Sequence, residues 1–178
     1  LDILVNNAGL TRDNVIHKMT DEQWDLCVDI CLKGTFNCIR AAAKYMRKEG
    51  HNGRIINISS MSAVKGNPGQ INYSAAKGGI ISLTKTVAKE WEKFGITCNA
   101  IAYGPVDTRL TKVKDEQDET IYGEKLGIPQ RARDHLMEIY HGQIISPEDA
   151  AQPVLFFALP ETWFINGNLL QASLGGFS

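Results

Sequence analysis

Gly53-Arg54-Ile55-Ile56-Asn57-Ile58-Ser59-Ser60 is the stretch whose reading decides the fold. Three isoleucines fall within residues 55–58, with a glycine before them and paired serines after. So short a β-branched run reads as a strand. Its apolar character does not alternate, so both of its faces need cover. The same unit recurs on either side. Upstream, Ile3-Leu4-Val5 is a short apolar strand that runs into the turn Asn6-Asn7-Ala8-Gly9. Downstream, residues 96–102 form a third strand that ends at Gly104-Pro105. Helical spacing fills the gaps. Thr20, with Gln23 three residues later, marks a helix start, and periodicity follows over residues 24–47 until Gly50 and Gly53 break it. A second helix covers residues 73–94, where Ile80, Ile81, Leu83, Val87, Ala88 and Trp91 recur at helical intervals before Gly95. Strands of this kind alternating with long helices predict an α/β fold whose parallel sheet is covered on both faces.

The rest of the chain is less regular. Residues 111–143 are polar and charge-rich and predict short helices and loops, with 112–119 as a solvated face. Ser146-Pro147-Glu148-Asp149 opens another helix, with Ser146 as cap and Pro147 at the first helical position. Leu169-Leu170 reads as a last strand before Gly175-Gly176. The 178 residues carry a net charge of −1, which argues against nucleic acid or an anionic membrane as a partner. The apolar run at residues 154–159 is too short to span a bilayer. Residues 1–5 show no signal-peptide pattern and no initiator Met, so the chain is expected to begin inside a longer gene product. Of the four cysteines, Cys27 and Cys31 share a helix face, but no His or second Cys pair completes a metal site nearby. Buried free thiols are the expectation, with no metal and a reducing cytoplasm as the compartment.

Parallel sheets place ligands beyond the carboxyl ends of their strands, so the loops after Val5, Ile58 and Ile101 are where chemistry is sought. Tyr73-Ser74-Ala75-Ala76-Lys77 stands out. Tyr and Lys four apart project from one helix face. An ammonium beside a phenol favours the phenolate, which makes the pair a general acid/base for a carbonyl or an alcohol. Alone the pattern is ordinary surface packing. Its context adds weight: Ser60 ends the preceding strand thirteen residues earlier, and Asn6-Asn7-Ala8-Gly9 ends the strand before that.

With Val5-Asn6-Asn7-Ala8-Gly9-Leu10-Thr11-Arg12-Asp13-Asn14, the Gly53 to Ser60 stretch, Tyr73 to Lys77 and Asn99-Ala100-Ile101-Ala102-Tyr103-Gly104-Pro105, the sequence resembles the short-chain dehydrogenase/reductase family over essentially its whole length. Within that family it is most similar to the 3-oxoacyl-carrier-protein reductases. The resemblance implies a Rossmann-like doubly wound parallel sheet. Residues 1–178 would be the catalytic part of one such domain, its C-terminal two-thirds, with about 109–145 as a variable substrate segment. It implies hydride transfer between NAD or NADP and a carbonyl or secondary alcohol, a 3-oxoacyl or 3-hydroxyacyl thioester being among the candidates. Ser60, Tyr73 and Lys77 would be catalytic. Tyr73 would exchange the proton, Lys77 would lower its pKa and bond the nicotinamide ribose, and Ser60 would hold the substrate oxygen. Asn7, Ala8 and Gly9, with Tyr73, Lys77, Val106 and Thr108, would meet the cofactor. Partners would be a small-molecule substrate and further copies of the chain, as a dimer or tetramer, with a hetero-oligomer as the other case.

Three departures stand out. The family's glycine-rich cofactor turn is absent from these residues. Cys31, in Ile30-Cys31-Leu32-Lys33-Gly34, takes the place of an Asn that in the family supports a water-linked proton path to the lysine. Tyr103-Gly104 stands for Pro-Gly, and Leu174-Gly175-Gly176 for Asp-Gly-Gly. The first two favour an alternative reading as a non-catalytic subunit that stabilises an active partner, and the intact Ser60, Tyr73 and Lys77 oppose it. Arg131, Arg133 and His135 read first as solvated helix charges and second as partners for a carboxylate or phosphate. Phe36, Ile39, Ala43, Leu83, Val87 and Trp91 are expected on outer helix faces, as apolar surface for another copy.

Overall fold

A computed structural model describes residues 1–48, 50–116 and 120–175. In chain order its elements are β1 (Ile3–Asn6), α1 (Asp21–Val28), α2 (Gly34–Met46), β2 (Arg54–Ser60), α3 (Met61–Lys65), α4 (Ile71–Trp91), β3 (Thr97–Tyr103), β4 (Thr120–Ile121), β5 (Glu124–Lys125), α5 (Gln130–Ile139), α6 (Pro147–Ala158) and β6 (Leu169–Ala172). The main sheet has the order β1-β2-β3-β6, and every pairing in it is parallel. Strand alternation sorts the core. Ile55 and Cys98 face α2 and α4, packing with Ile39, Met46, Ala88 and Trp91. Ile56 and Ile101 point the other way, onto Phe157 of α6. Helices therefore cover both faces, as the unalternating strands require.

Local chemistry sets the boundaries. Thr20 and Gln23 form the expected reciprocal cap at the start of α1, the Thr20 hydroxyl accepting from the Gln23 amide at 3.3 Å and the Gln23 side chain accepting from the Thr20 amide at 3.1 Å. A π-helical turn over Asp29–Lys33 joins α1 to α2. Ser146 caps α6 through the Asp149 amide at 3.0 Å. Gly95 closes the short turn after α4 with φ of +74°, where a side chain would be strained. Two differences from the sequence reading have simple causes. β2 runs two residues past Ile58, because Ser59 and Ser60 keep pairing with Ala102 and Tyr103. α3 replaces part of the expected loop; it is one turn long, too short to show periodicity, and is capped by Ser60.

A buried polar chain crosses the sheet. Asn6 donates to Asn57 at 2.8 Å, and Asn57 donates to Thr84 at 2.9 Å. Asn57 is fully buried, so Asn57→Ala would leave unmet groups and a cavity. It is expected to cost about 2–4 kcal/mol in chemical denaturation, and a loss below about 1 kcal/mol would refute this account of the network.

The helix faces expected to be apolar and outward are mostly inward. Ile39 and Trp91 belong to the core, and Ala43, Leu83 and Val87 pack against it. Phe36 alone of that group is exposed, beneath the Arg40 guanidinium at 4.8 Å. Those residues are apolar because each helix buries that stripe on its own sheet. Exposed apolar side chains lie elsewhere: Leu155, Phe156, Trp163 and Phe164 near the end of α6, Ile3 and Val5 on β1, and Leu1 just before it. β1 is an edge of the described sheet. Residues 1–178 produced alone are therefore expected to self-associate or precipitate. A soluble monomer by light scattering, with micromolar affinity for NAD or NADP, would contradict that. No helix among the described residues is long and apolar enough to cross a membrane.

Candidate active site

α4 begins with a residue that the sequence reading passed over. Asn72 is fully buried, and its amide nitrogen donates to the Arg12 and Gln23 carbonyls, both at 2.9 Å. Its side-chain oxygen accepts from the Tyr73 backbone N–H at 2.8 Å. One side chain thus ties the loop after β1, the first turn of α1 and the start of α4 together. A polar residue buried one position before the tyrosine was the available signal. Tyr73 and Lys77 follow on adjacent turns, with the Lys77 nitrogen 5.6 Å from the Tyr73 ring centroid. Lys77 is buried, at 2% exposure, and donates to the Ile58 carbonyl at 2.8 Å. The Ser59 hydroxyl donates to the Lys77 carbonyl at 2.9 Å, which fixes the helix against the end of β2. Ser60 ends that strand, close enough to Tyr73 to lower its phenol against the pull of burial. Ser60, Tyr73 and Lys77 are therefore gathered at one point.

Because β1, β2 and β3 are parallel, their carboxyl ends lie on the same side of the sheet. Asn7 and Ala8 are exposed just beyond β1, and Gly9 is half-buried. A Cβ on Gly9 would stand 3.2 Å from the Lys77 nitrogen and 3.5 Å from the Cys31 sulfur. Beyond β3, the Thr111 hydroxyl donates to the Val106 carbonyl at 2.6 Å and accepts from the Thr108 amide at 3.1 Å. Val106 and Thr108 thus sit in a braced turn, half-buried. Arg133 braces the same turn, donating to the Thr111 carbonyl at 3.1 Å and lying 3.6 Å from Asp107. Arg131 is exposed, and exposed His135 stands 3.8 Å from Glu138, so neither points into the site. Of the 112–119 stretch, residues 117–119 lie outside the described residues, as does Gly176 of the late glycine pair.

Residues 1–119 match the family model described as short chain dehydrogenase. The chain belongs to the short-chain dehydrogenase/reductase family. It is 41% identical to the 3-oxoacyl-[acyl-carrier-protein] reductase FabG of Thermotoga maritima over 171 residues, covering 96% of this chain and 63% of that protein. It is 42% identical to the acetoacetyl-CoA reductase of Rhizobium meliloti over 177 residues, covering 99% of this chain and 68% of that one. A crystal structure of a short chain dehydrogenase from Bacillus anthracis superposes with a TM-score of 0.79 at 31% identity, covering 100% of this chain and 65% of that chain. The chain thus spans about two thirds of the length of the family members it matches.

Electrostatics at this short-chain dehydrogenase/reductase site run against one expectation. Burial pushes the Tyr73 phenol up, the neighbouring Cys31 pushes it the same way, and Ser60 only partly opposes them. Burial pushes Lys77 down. Both shifts follow from removing a charged form from water. The Tyr73 phenol is thus raised, where lowering by Lys77 was expected, because its desolvation dominates. Cys27, Cys31 and Cys98 are the buried thiols, and Cys38 is exposed, unlike the expectation for all four.

Proposed function

We propose that the protein carrying these residues is an NAD(P)-dependent oxidoreductase acting on a carbonyl or secondary alcohol, with Tyr73 as general acid/base. The observation that supports it best is the meeting of Ser60, Tyr73 and Lys77 at the carboxyl end of β2. The residues fit a nicotinamide nucleotide at its nicotinamide end: the missing Cβ of Gly9 keeps the approach to the Lys77 ammonium open, and Asn7 and Ala8 leave an exposed strand end beside it. When bound, the nicotinamide supplies or takes the hydride. Ser60 holds the substrate oxygen by hydrogen bond. Tyr73, kept protonated by burial, gives its proton to that oxygen as a carbonyl is reduced and takes one back in the reverse direction. Lys77 bonds the nicotinamide ribose and presents a positive charge to the developing alkoxide. Asn7, Ala8, Gly9, Val106 and Thr108 border the cofactor, and residues about 109–145 shape the substrate side of this part of a single Rossmann-like domain.

For the substrate we propose a 3-oxoacyl thioester or its 3-hydroxyacyl counterpart. The reading rests on the names of the two relatives at 41% and 42% identity. The test is binding of NAD and of NADP to the complete gene product, then turnover of a panel of ketones and 3-oxoacyl thioesters. Reduction of a thioester in preference to simple ketones is expected. A protein that binds neither cofactor and turns over nothing would favour the non-catalytic subunit instead. We also propose a homodimer or homotetramer, with the apolar surface near the end of α6 available for contact. A monomer at micromolar concentration by light scattering would refute it.

A further inference from the structure

We propose that Ile121 is a specificity-determining residue of this site, the wall that limits the substrate beside Tyr73, and that Arg12 is the positioning residue that holds it there. The proposal rests on the reading of Ser60, Tyr73 and Lys77 given above. Its ground is the β4–β5 hairpin, which is far along the chain from the loop after β1 and yet packs on it. Thr120 pairs with Lys125 and Ile121 with Glu124, and Tyr122-Gly123 makes the two-residue turn between them. Both turn residues have positive φ, 52° and 78°, which is the turn a twisted hairpin favours. Ile121 is half-buried. It packs on the group of Leu10, Cys27, Cys31 and Ala76, the same group that Tyr73 packs on. An aliphatic side chain in that place bounds the space beside the phenol, and an apolar wall discriminates between substrates by size.

Arg12 is what ties Ile121 to the site. It is buried, at 5% exposure. Its backbone carbonyl accepts from Asn72, the residue before Tyr73, at 2.9 Å, so its own place is set by the start of α4. Its Nη1 donates to the Thr11 carbonyl at 2.9 Å, which aims the guanidinium. Nη2 then donates to the Ile121 carbonyl, and Nε lies 3.5 Å from the Glu124 carboxylate. Ile121 and Glu124 are cross-strand partners, so one guanidinium grips both members of the pair next to the turn. A planar fork of fixed donors suits this task, and the single point charge of a lysine does not. A buried guanidinium is costly unless its donors are met and an anion faces it, and the hairpin supplies both. The return from the hairpin is tied separately. The Ile128 amide donates to the Lys112 carbonyl at 2.8 Å, and the Lys114 amide donates to the Ile128 carbonyl at 2.9 Å. Arg12 touches no substrate in this account and acts through Ile121.

The experiment uses the complete gene product and a homologous series from 3-oxobutanoyl to 3-oxooctanoyl thioesters. Methyl ketones of rising length are run beside them, so that the result does not hang on the thioester. Ile121→Ala is expected to raise kcat/KM for the longest member relative to the shortest by about tenfold, and Ile121→Phe to lower that ratio by a similar factor. Arg12→Met should move the ratio as Ile121→Ala does, through KM more than kcat. Arg12→Lys, which keeps the charge and one bond, should fall between Arg12→Met and the unaltered protein. Hydrogen exchange of the amides of residues 120–125 is the second readout. It should quicken by at least about tenfold in Arg12→Met, which loses hydrogen bonds from a charged donor. In Glu124→Gln, which alters only the half-exposed partner of the ion pair, it should quicken by about two- to fivefold. A ratio unmoved in both Ile121 variants overturns the specificity role. Exchange unmoved in both Arg12→Met and Glu124→Gln overturns the positioning role. The ratio compares substrates within one variant, so a general loss of turnover cancels from it. The exchange measurement needs no turnover at all, which separates this proposal from the assignment of Tyr73.

Discussion

Tyr73→Phe is expected to lower turnover by about 10²–10⁴-fold while cofactor affinity stays within a few-fold of the unaltered protein. The ring is retained, so its packing against the buried group of Leu10, Cys27, Cys31 and Ala76 should survive. Only the phenolic O–H is lost. Burial holds that group protonated well beyond neutral pH, so it is a ready donor to a carbonyl oxygen. The sign of the pH dependence follows. As pH rises through the raised phenol pKa the acid form is lost, so carbonyl reduction slows and alcohol oxidation gains. Steady-state turnover in both directions across neutral and alkaline pH measures both effects. Activity of Tyr73→Phe within a few-fold of the unaltered protein would remove Tyr73 from the proton's path.

Much of this fold was legible because it rests on local rules. The unalternating Ile55-Ile56 strand, the Thr20 cap with Gln23, the Ser146-Pro147 start and the stop at Gly95 each carry their own short-range chemistry. The candidate site was legible to the extent that parallel strands end together, which brings Asn7, Ser60 and Val106 to one side. What escaped depends on partners far along the chain. Asn72 works through Arg12, 60 residues away, and Gln23, 49 residues away. Arg133 braces a turn 22 residues upstream, whereas its helix neighbours Arg131 and His135 are exposed. Helix spacing showed which residues share an apolar stripe, but not whether Ile39 and Trp91 face the sheet or another copy of the chain. The direction of the Tyr73 shift escaped for a similar reason. Spacing placed the ammonium near the ring, whereas desolvation of both groups is set by the surrounding cluster.

Lys77→Met should separate stability from catalysis. The methionine follows nearly the same path through a site where only 2% of the lysine is exposed. Removing the ammonium forfeits its hydrogen bond to the Ile58 carbonyl, worth about 1.5–3 kcal/mol for a charged donor. It also removes the cost of holding that charge away from water, several kcal/mol per buried ion on the same rough scale. The two oppose each other, so the unfolding free energy should change by no more than about 2 kcal/mol in either direction. Turnover has no such compensation. With no cation beneath the reacting oxygen and none on the ribose, kcat/KM should fall by about 10²–10³-fold, the scale of losing one preorganised charge at a developing oxyanion. Part of that loss should appear as weaker cofactor binding, which Tyr73→Phe is expected to spare. Calorimetric titration with NAD and NADP beside steady-state kinetics on both variants distinguishes the two residues. A Lys77→Met protein that keeps most of its turnover would mean that the buried ammonium serves the fold alone.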